Sequence, residues 1–474
     1  MSVDLSSKGA ALTYTQIIAI AMLVGILLPI LFTHISIEVL LLAFIFILLG
    51  WYGVRAVIDT KKAIPPIIAL SFFTYIEPSP TDILAIIAIG AFFFSILLGK
   101  LSIRKFTFAD VVLILYLGVS LCAVLFIGCS PWRIVFLGIT VYLVLFYFLI
   151  TVTADSSQQI EKYLKWYVVA AFITSLAAVL SGLGFAGSAF NWMGSILNSV
   201  HSRLSEVLHL SPRSWHALGD RATGFFKDPN TAAFFIVPAV VFMLCQIVHR
   251  KGGLWYRAPV IAICLFGVIL TVSGSGFVML AVGVIVALFL SSTINMEKFG
   301  KVIILVVFIS ISIYAAYTYT GQGGRLANKF TDAQQDRDVI NRIERYKIGI
   351  NAISERPFLG CNLEPKKTPH DSYLSRFAMS GFIAFAAFLA FLIYILFNLW
   401  ELIQEHPTGT RRIIAFTLFS SMFAAIPAGM SGDFIHKRSF WLLAGLSVAL
   451  IRIKRERSNV IKYVGEKNAC NKCL

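Results

Sequence analysis

The sequence predicts an all-α polytopic membrane protein. Of its 474 residues, 58% are hydrophobic and only 14% are charged, and the mean hydropathy is +0.83. Soluble domains are about half apolar and about a quarter charged, so this composition excludes an ordinary soluble fold. Apolar runs close to the ~20 residues that span a bilayer recur along the chain, and they predict about 12–14 transmembrane helices.

The candidate spans divide the chain evenly, apart from two long polar gaps. The third span is short, and the pair around Ser273–Gly276 can be split in another way. The spans lie at roughly 14–32, 36–54, 63–76, 81–99, 107–128, 133–152, 164–185, 231–248, 257–272, 274–291, 301–320, 377–399, 412–427 and 439–452.

The basic residues place both termini on the inner side of the membrane. With that orientation, Arg133, Lys437 and Arg438 are the only basic residues in short outward loops, as the positive-inside rule expects. The other outward basic residues lie in two long segments, 186–230 and 321–376. The net charge of +16 therefore predicts anionic membrane lipids, and no nucleic acid, as the partner of the inner face.

This topology divides the chain into six regions, and the two long outward segments are where function is expected, because long loops in compact proteins are usually functional. The spans themselves carry few ionisable residues, which argues against the alternative function, a lipid-linked oligosaccharide flippase or a polysaccharide exporter. The regions are N-terminal transmembrane helices (1–185), the first long loop (186–230), central transmembrane helices (231–320), the second long loop (321–376), C-terminal transmembrane helices (377–452) and a basic inner tail (453–474).

The second long segment predicts an amphipathic, arginine-rich helix from about Asp332 to Ser354, which ends before Pro357. Its isoleucines share one face, and Arg342 and Arg345 are three residues apart on another side of the helix. Taken alone, such an arginine pair indicates a solvated face, with Glu344 and Asp338 as salt-bridge partners.

The first long segment begins with another amphipathic stretch, "NWMGSILNSVHSRLSEVLHL", which predicts a helix in the outer interface or packed on neighbouring spans. The segment closes with the pattern R-x-x-G-x-F-x-D-P-N, from Arg221 to Asn230, directly before a span. A third element, H-D-S-Y-L from His370 to Leu374, stands before a later span, after the arginine-rich helix and its closing P-F-L-G.

These three elements, in this order and topology, resemble the O-antigen ligase and O-antigen polymerase superfamily of bacterial inner-membrane glycosyltransferases. The resemblance covers roughly residues 220–450. Two positions depart from the family pattern: Asp371 stands where Asn is usual, and Cys361 stands where Gly is common.

The resemblance implies a GT-C-like helical architecture with both long segments in the periplasm. It also implies a glycan donor on a polyprenyl (undecaprenyl) diphosphate, and transfer with inversion to a sugar hydroxyl. The acceptor is a growing glycan in a polymerase, for which a chain-length regulator is a partner, or a lipid A core sugar in a ligase. The motifs do not separate these two activities.

The resemblance and the chemistry together suggest roles for particular residues. His370 is the candidate general base, and Arg221, Arg342 and Arg345 form a predicted diphosphate clamp, since guanidinium groups bind phosphate oxygens in planar pairs. Such a clamp replaces a metal ion, and the lone Cys470–Cys473 pair lacks the further ligands of a zinc site, so no metal or cofactor is expected. Weaker candidates are Arg337 and Lys227 for the diphosphate, and Asn230, Tyr373, Asp371, Asp433 and His436 for other contacts.

Overall fold

The structure is a computed structural model in which the described residues form a bundle of α-helices. It describes residues 37–71, 79–99, 106–127, 131–182, 226, 228–249, 254–271, 273–290, 337–361, 363, 368–369, 371–406, 409–430 and 432–470. The predicted spans at 14–32 and 301–320, and the amphipathic stretch of the first long segment, lie outside these ranges.

Thirteen helices lie within the described ranges, and they confirm the prediction of an all-helical, multi-pass membrane protein. Six of them, α4, α5, α6, α7, α11 and α12, are long and apolar enough to cross a membrane. The helices are α1 (Ile37–Ile58), α2 (Thr60–Ala69), α3 (Pro80–Leu97), α4 (Phe108–Ile127), α5 (Pro131–Thr153), α6 (Ser157–Gly182), α7 (Pro229–His249), α8 (Leu254–Leu270), α9 (Gly274–Leu290), α10 (Arg337–Glu355), α11 (Ser372–Glu405), α12 (Thr410–Ala428) and α13 (Arg438–Cys470).

The helices differ from the predicted spans mainly at their ends. The short third span is the ten-residue α2, which falls well below the ~20 residues needed to cross a bilayer. The helix α6 begins seven positions before its predicted span, and α11 begins five before its own, because polar first turns continue the helix outside the apolar run. The helix α13 continues past its apolar part into the basic tail.

The core is formed by helices that pack lengthwise, with α11 against α4, α9 against α12, α8 against α6 and α13 against α5. The helix α7 lies at the centre, since its side chains from Ala232 to Gln246 are all buried. Aromatic residues of α11 and α13 interlock in this core, where Phe391 and Trp441 have ring centroids 6.1 Å apart. Because the middle of the bundle is apolar, the polar side chains that could form a site lie at the helix ends.

Contacts between helix ends show which ends lie together. At one end of the bundle, Arg438 donates to Ser79 at 2.8 Å and joins the starts of α13 and α3, while Ser273 donates to Asn230 at 2.7 Å and joins the starts of α9 and α7. At the opposite end, Arg411 donates to Ser157 at 3.2 Å. We call the first end, where α3, α7, α9, α11 and α13 begin, the site end.

Candidate functional site at one end of the helix bundle

The start of α11 is held in place by its own cap and by the chain that follows α12. The Asp371 carboxylate caps α11 and accepts from the N–H groups of Tyr373 at 2.6 Å and Leu374 at 2.8 Å. Ser372 donates through its hydroxyl to the carbonyl of Gly432 at 2.9 Å and accepts from the N–H of Phe434 at 2.9 Å. This cap attaches the segment next to His370 firmly to the bundle.

Burial and hydrogen bonding shift the pKa of the Asp371 carboxyl in opposite directions. Burial raises the pKa of the Asp371 carboxyl above its usual value, and the nearby Asp433 carboxylate acts in the same direction. The N–H groups of Leu374 and Tyr373 act against this rise but do not cancel it. The Tyr373 hydroxyl donates to the carbonyl of Ile426 at 2.9 Å, so this side chain is engaged inside the protein.

The helix α11 is broken at Gly381, where φ is 76° and ψ is 178°. The break frees two backbone groups, and the P-F-L-G turn satisfies both of them. The N–H of Phe382 donates to the carbonyl of Pro357 at 2.7 Å, and the N–H of Cys361 donates to the carbonyl of Ala378 at 2.6 Å. Such a broken helix is tolerated at membrane depth only when protein groups pair its backbone. We call the turn at residues 357–361 the splint, because its backbone pairs the two groups that the break in α11 leaves open.

Arg133, at the start of α5, completes this splint from the other side. Its guanidinium is buried and donates to the carbonyls of Met379 at 3.0 Å and Cys361 at 3.2 Å. The Met379 carbonyl is at the C-terminal end of the short segment Ser372–Ser380, where a positive charge is favourable. The sequence analysis placed Arg133 among the outward loop charges and did not foresee this role.

A second buried arginine, Arg376, lies one turn into α11. Its guanidinium donates to the Tyr116 hydroxyl at 3.1 Å and to Nε2 of His436 at 2.6 Å, and its charged carbon lies 4.3 Å from the Phe136 ring centroid. His436 in turn bonds through Nδ1 to the carboxylate of Asp433. Asp433 and His436, predicted as acceptor contacts, are thus joined to the buried Arg376 in one network.

The start of α7 carries the residues predicted near the first long segment. Asp228 caps α7 and accepts from the Thr231 N–H at 3.0 Å and hydroxyl at 2.8 Å. Its side chain also lies 3.6 Å from the ammonium of Lys437. Burial acts to raise the pKa of the Asp228 carboxyl, but Lys437 and the capping donors hold this pKa below its usual value. Asn230 accepts from Ser273, as described above, and so supports the joint between α7 and α9.

The arginine-rich helix α10 reaches this assembly through its middle turns. An added Cβ on Gly349 would lie 2.6 Å from Pro369, so α10 touches the chain directly before His370. The Tyr346 hydroxyl donates to the carbonyl of Met430 at 3.0 Å, and burial together with the Asp371 charge raises the pKa of this phenol. These contacts place α10 beside the cap of α11.

The packed face of α10 overlaps its isoleucine face only in part, through Tyr346 and Ile353. Ile340 and Ile350 are each 55% exposed, whereas Gly349 and Ala352 are buried. Arg345 precedes Gly349 by one turn and is half-buried, and Arg342 precedes Tyr346 by one turn and is exposed. Both predicted clamp residues therefore flank the face that meets α11, which a helical-wheel pattern alone did not show.

Several predicted residues cannot be placed by the structure. Arg221, Lys227 and His370 lie outside the described residues, and Arg337 is described only through its backbone as the first residue of α10. Their site roles stay predictions. Within the described part of the chain, no group of three or more His, Cys, Asp and Glu side chains could hold a metal ion.

An open cleft of about 420 Å³ lies between the last turns of α10, the end of α4 and the splint turn. Its polar lining comes from Asn351, Glu355 and Arg356, and its apolar lining includes Ile127 and Leu363. Small-molecule sites typically occupy roughly 300–1,000 Å³ and combine such surfaces. The cleft and the predicted clamp lie along the same helix.

Arg376 is the principal residue that the sequence analysis missed. It was counted with the outward loop, although it lies inside the helical run "SYLSRFAMSGF" and is 0% exposed. A signal was present, because a charged residue within an apolar helical pattern marks a functional or structural pairing in membrane proteins. Its partner His436 is sixty positions away and could not be named without the fold.

The helices and their buried polar junctions define the class of this chain as an all-helical, multi-pass membrane protein. Residues 259–389 match a family model described as O-antigen ligase. This match confirms the resemblance to the O-antigen ligase and polymerase superfamily and supports a role of that type in membrane glycan processing. It extends from α8 into α11 and includes α10, the splint turn and Asp371. A search of curated proteins found no match.

Proposed function

We propose that the chain transfers a glycan from a polyprenyl (undecaprenyl) diphosphate to a sugar hydroxyl at the periplasmic face of the bacterial inner membrane. It would act in the biosynthesis of O-antigen, as in lipopolysaccharide, or of another surface polysaccharide. The observation that carries this proposal is the meeting of α10 and the start of α11 within the matched O-antigen ligase region. That junction brings the helix with Arg342 and Arg345 next to the chain that carries His370.

Arginine is suited to the leaving group of this reaction. A diphosphate is already activated, and its negative charge grows as the glycosidic bond breaks. Guanidinium groups keep their charge at all physiological pH values and bind phosphate oxygens in planar pairs. Fixed cations of this kind stabilise the developing charge. Arg342 and Arg345 flank the packed face of α10 and, with Arg221, would form the clamp, with Arg337 and Lys227 in weaker roles.

In the proposed transfer step, the protein side chains alone handle the proton and the leaving-group charge. The acceptor hydroxyl oxygen attacks the anomeric carbon from the face opposite the diphosphate, and the bond to the diphosphate oxygen breaks with its electron pair. Neutral His370 takes the hydroxyl proton. The polyprenyl diphosphate departs with the bonding electrons, and the anomeric configuration inverts. The cleft lined by Asn351 and Glu355 would bind saccharide units along α10.

The proposed function is tested by glycan transfer with purified protein in nanodiscs. The donor is lipid-linked glycan extracted from the producing cells, and the acceptor is either the same material or lipid A core. His370→Ala is expected to lower transfer by ~10²–10⁴-fold, the usual contribution of a positioned base. His406→Ala, at the opposite end of α11, is the control and should transfer normally.

The same assay separates the two activities that the motifs leave open. A ladder of products from donor alone indicates a polymerase, whereas products that require lipid A core indicate a ligase. Equal transfer by His370→Ala and the unmodified protein would remove the general-base role. Movement of the intact lipid-linked glycan across the bilayer, with no transfer to either acceptor, would contradict the glycosyltransferase proposal.

A further inference from the structure

The buried network around Arg376 links three helices to one loop. Arg376 belongs to the first turns of α11, Tyr116 to α4 and Phe136 to α5, while Asp433 and His436 lie on the loop between α12 and α13. Arg376 is 0% exposed, and its Nε is buried and has no hydrogen-bond partner in the structure. A buried charge is tolerated only when its neighbours compensate it.

The geometry determines the tautomer of His436. The Arg376 guanidinium lies 2.6 Å from Nε2 and 3.2 Å from Nδ1 of His436, and Nδ1 also faces the Asp433 carboxylate. Because arginine can only donate hydrogen bonds and a carboxylate can only accept them, this arrangement assigns Nε2 as the acceptor. The remaining ring nitrogen, Nδ1, then carries the proton and donates it to the Asp433 carboxylate. The other carboxylate oxygen of Asp433 accepts from the N–H of Ile435 at 3.1 Å. Neutral His436 is thus a bridge between a cation and an anion.

The charges that face His436 act on its pKa in opposite directions. They are Arg376 from α11, Asp433 and Lys437 from its own loop, and the Tyr116 hydroxyl of α4 reaches it through Arg376. Burial lowers the pKa of the His436 imidazole, and the Arg376 charge lowers it further against the opposing effect of Asp433. Burial opposes ionisation of Asp433, but the neighbouring His436, Arg376 and Lys437 hold the pKa of this carboxyl well below its usual range.

The loop held by this network is joined to the proposed site at both of its ends. Before His436, Gly432 and Phe434 bond to the Ser372 hydroxyl next to the Asp371 cap. After it, Lys437 approaches Asp228, the cap of α7. The loop therefore connects the two chain segments that carry the predicted catalytic and donor-binding residues.

We propose that Arg376 is a positioning residue for glycan transfer: it locks His436 as the neutral Nδ1–H tautomer and so fixes the loop 432–437 between the caps of α11 and α7. The inference rests on the proposed function for its effect on transfer, but the tautomer itself does not depend on that function. Because arginine stays charged, the lock holds across the physiological pH range.

The tautomer is measured by nitrogen NMR of the full chain in nanodiscs with ¹⁵N-labelled histidine. The chain has eight histidines, and His436→Asn assigns the signal. In the unmodified protein, His436 should show the Nδ1–H pattern at neutral pH and an acid midpoint below the ordinary histidine pKa of ~6.5. An ordinary titration of His436, or an Nε2–H pattern, overturns the proposal without any activity measurement.

The positioning role is measured with Arg376→Gln and Arg376→Lys in the transfer assay. Arg376→Gln removes the cation while Asp433 remains, so the pKa of His436 should rise and its protonation should appear in both the NMR titration and the pH profile of transfer. Transfer should fall by ~10–10²-fold, the scale of a small displacement of reacting groups, and Arg376→Lys should restore part of it. A fall that is equal at every pH, with an unchanged His436 signal and no rescue by lysine, would show a purely structural residue and overturn the proposal.

Discussion

The splint at the break of α11 yields a quantitative prediction for Gly381→Ala. The conformation of Gly381, with φ 76° and ψ 178°, belongs to a region that is essentially restricted to glycine. An added Cβ would lie 2.0 Å from the Phe358 carbonyl oxygen and 2.5 Å from the Leu359 nitrogen. Both distances are shorter than van der Waals contact allows, so the turn must move away from α11.

The expected loss of stability has two parts. Backbone strain at such a position costs ~1–3 kcal/mol. Displacement of the turn also breaks the hydrogen bonds of Phe382 to Pro357 and of Cys361 to Ala378, each worth ~0.5–1.5 kcal/mol. The sum is about 2–6 kcal/mol. Gly99→Ala is the matched control, because Gly99 has φ 68° and no atom of the described residues lies within 4 Å of its added Cβ, so it should lose only the ~1–2 kcal/mol of a left-handed residue.

The measurement is the apparent unfolding temperature in detergent, followed with a dye that becomes fluorescent on reaction with thiols. The buried Cys245 and Cys264 report the opening of the bundle. Gly381→Ala should unfold at a clearly lower temperature than Gly99→Ala. If the two variants unfold at the same temperature, the close approach between the turn and α11 is absent and the account of the splint fails.

Three further predictions concern the site. Arg345→Lys keeps the charge but loses the planar guanidinium, so transfer should fall by ~10²-fold or more. The control is Lys347→Ala, on the exposed side of α10, which should leave transfer unchanged. Normal transfer by Arg345→Lys and by Ala variants of the other two clamp arginines would show that these residues form a solvated face. For Asp371, the raised pKa means that its contribution to stability is present at low pH and is lost as the pH rises through the folded-state pKa. Asp371→Asn keeps a good cap and should therefore unfold at a higher temperature than the unmodified protein at pH 7, with no difference below about pH 4, and an unchanged or lower unfolding temperature at pH 7 would contradict the sign. The same variant removes a carboxylate beside His370 and should move the acid midpoint of transfer downward.

Part of the site could be foreseen from local patterns. The end of α10 was predicted within a residue because Pro357 cannot continue a helix, whereas the Asp371 cap of α11 was not predicted, since the span was expected to begin at 377. The contact of Tyr373 was not foreseen, since its hydroxyl bonds to a carbonyl 53 positions along the chain. The link from Asp433 through His436 to Arg376 was not foreseen either, because Arg376 is sixty positions from His436. The exposure of Ile340 and Ile350 on α10 was also unexpected, because a periodic pattern identifies a face but not the neighbour that covers it.

The sequence by itself determined that the chain is a helical membrane protein and where most of its apolar helices lie, and it carries motifs that resemble the O-antigen ligase and polymerase superfamily. These properties are local, since a run of ~20 apolar residues must satisfy its own backbone hydrogen bonds in lipid. The tertiary structure decided that Arg376 meets His436, that Arg133 seals the break in α11, and that the face of α10 with Gly349 is the one that packs. Those outcomes depend on which buried surfaces fit together across long stretches of chain, because a buried charge or an unpaired backbone group is stable only beside a specific partner.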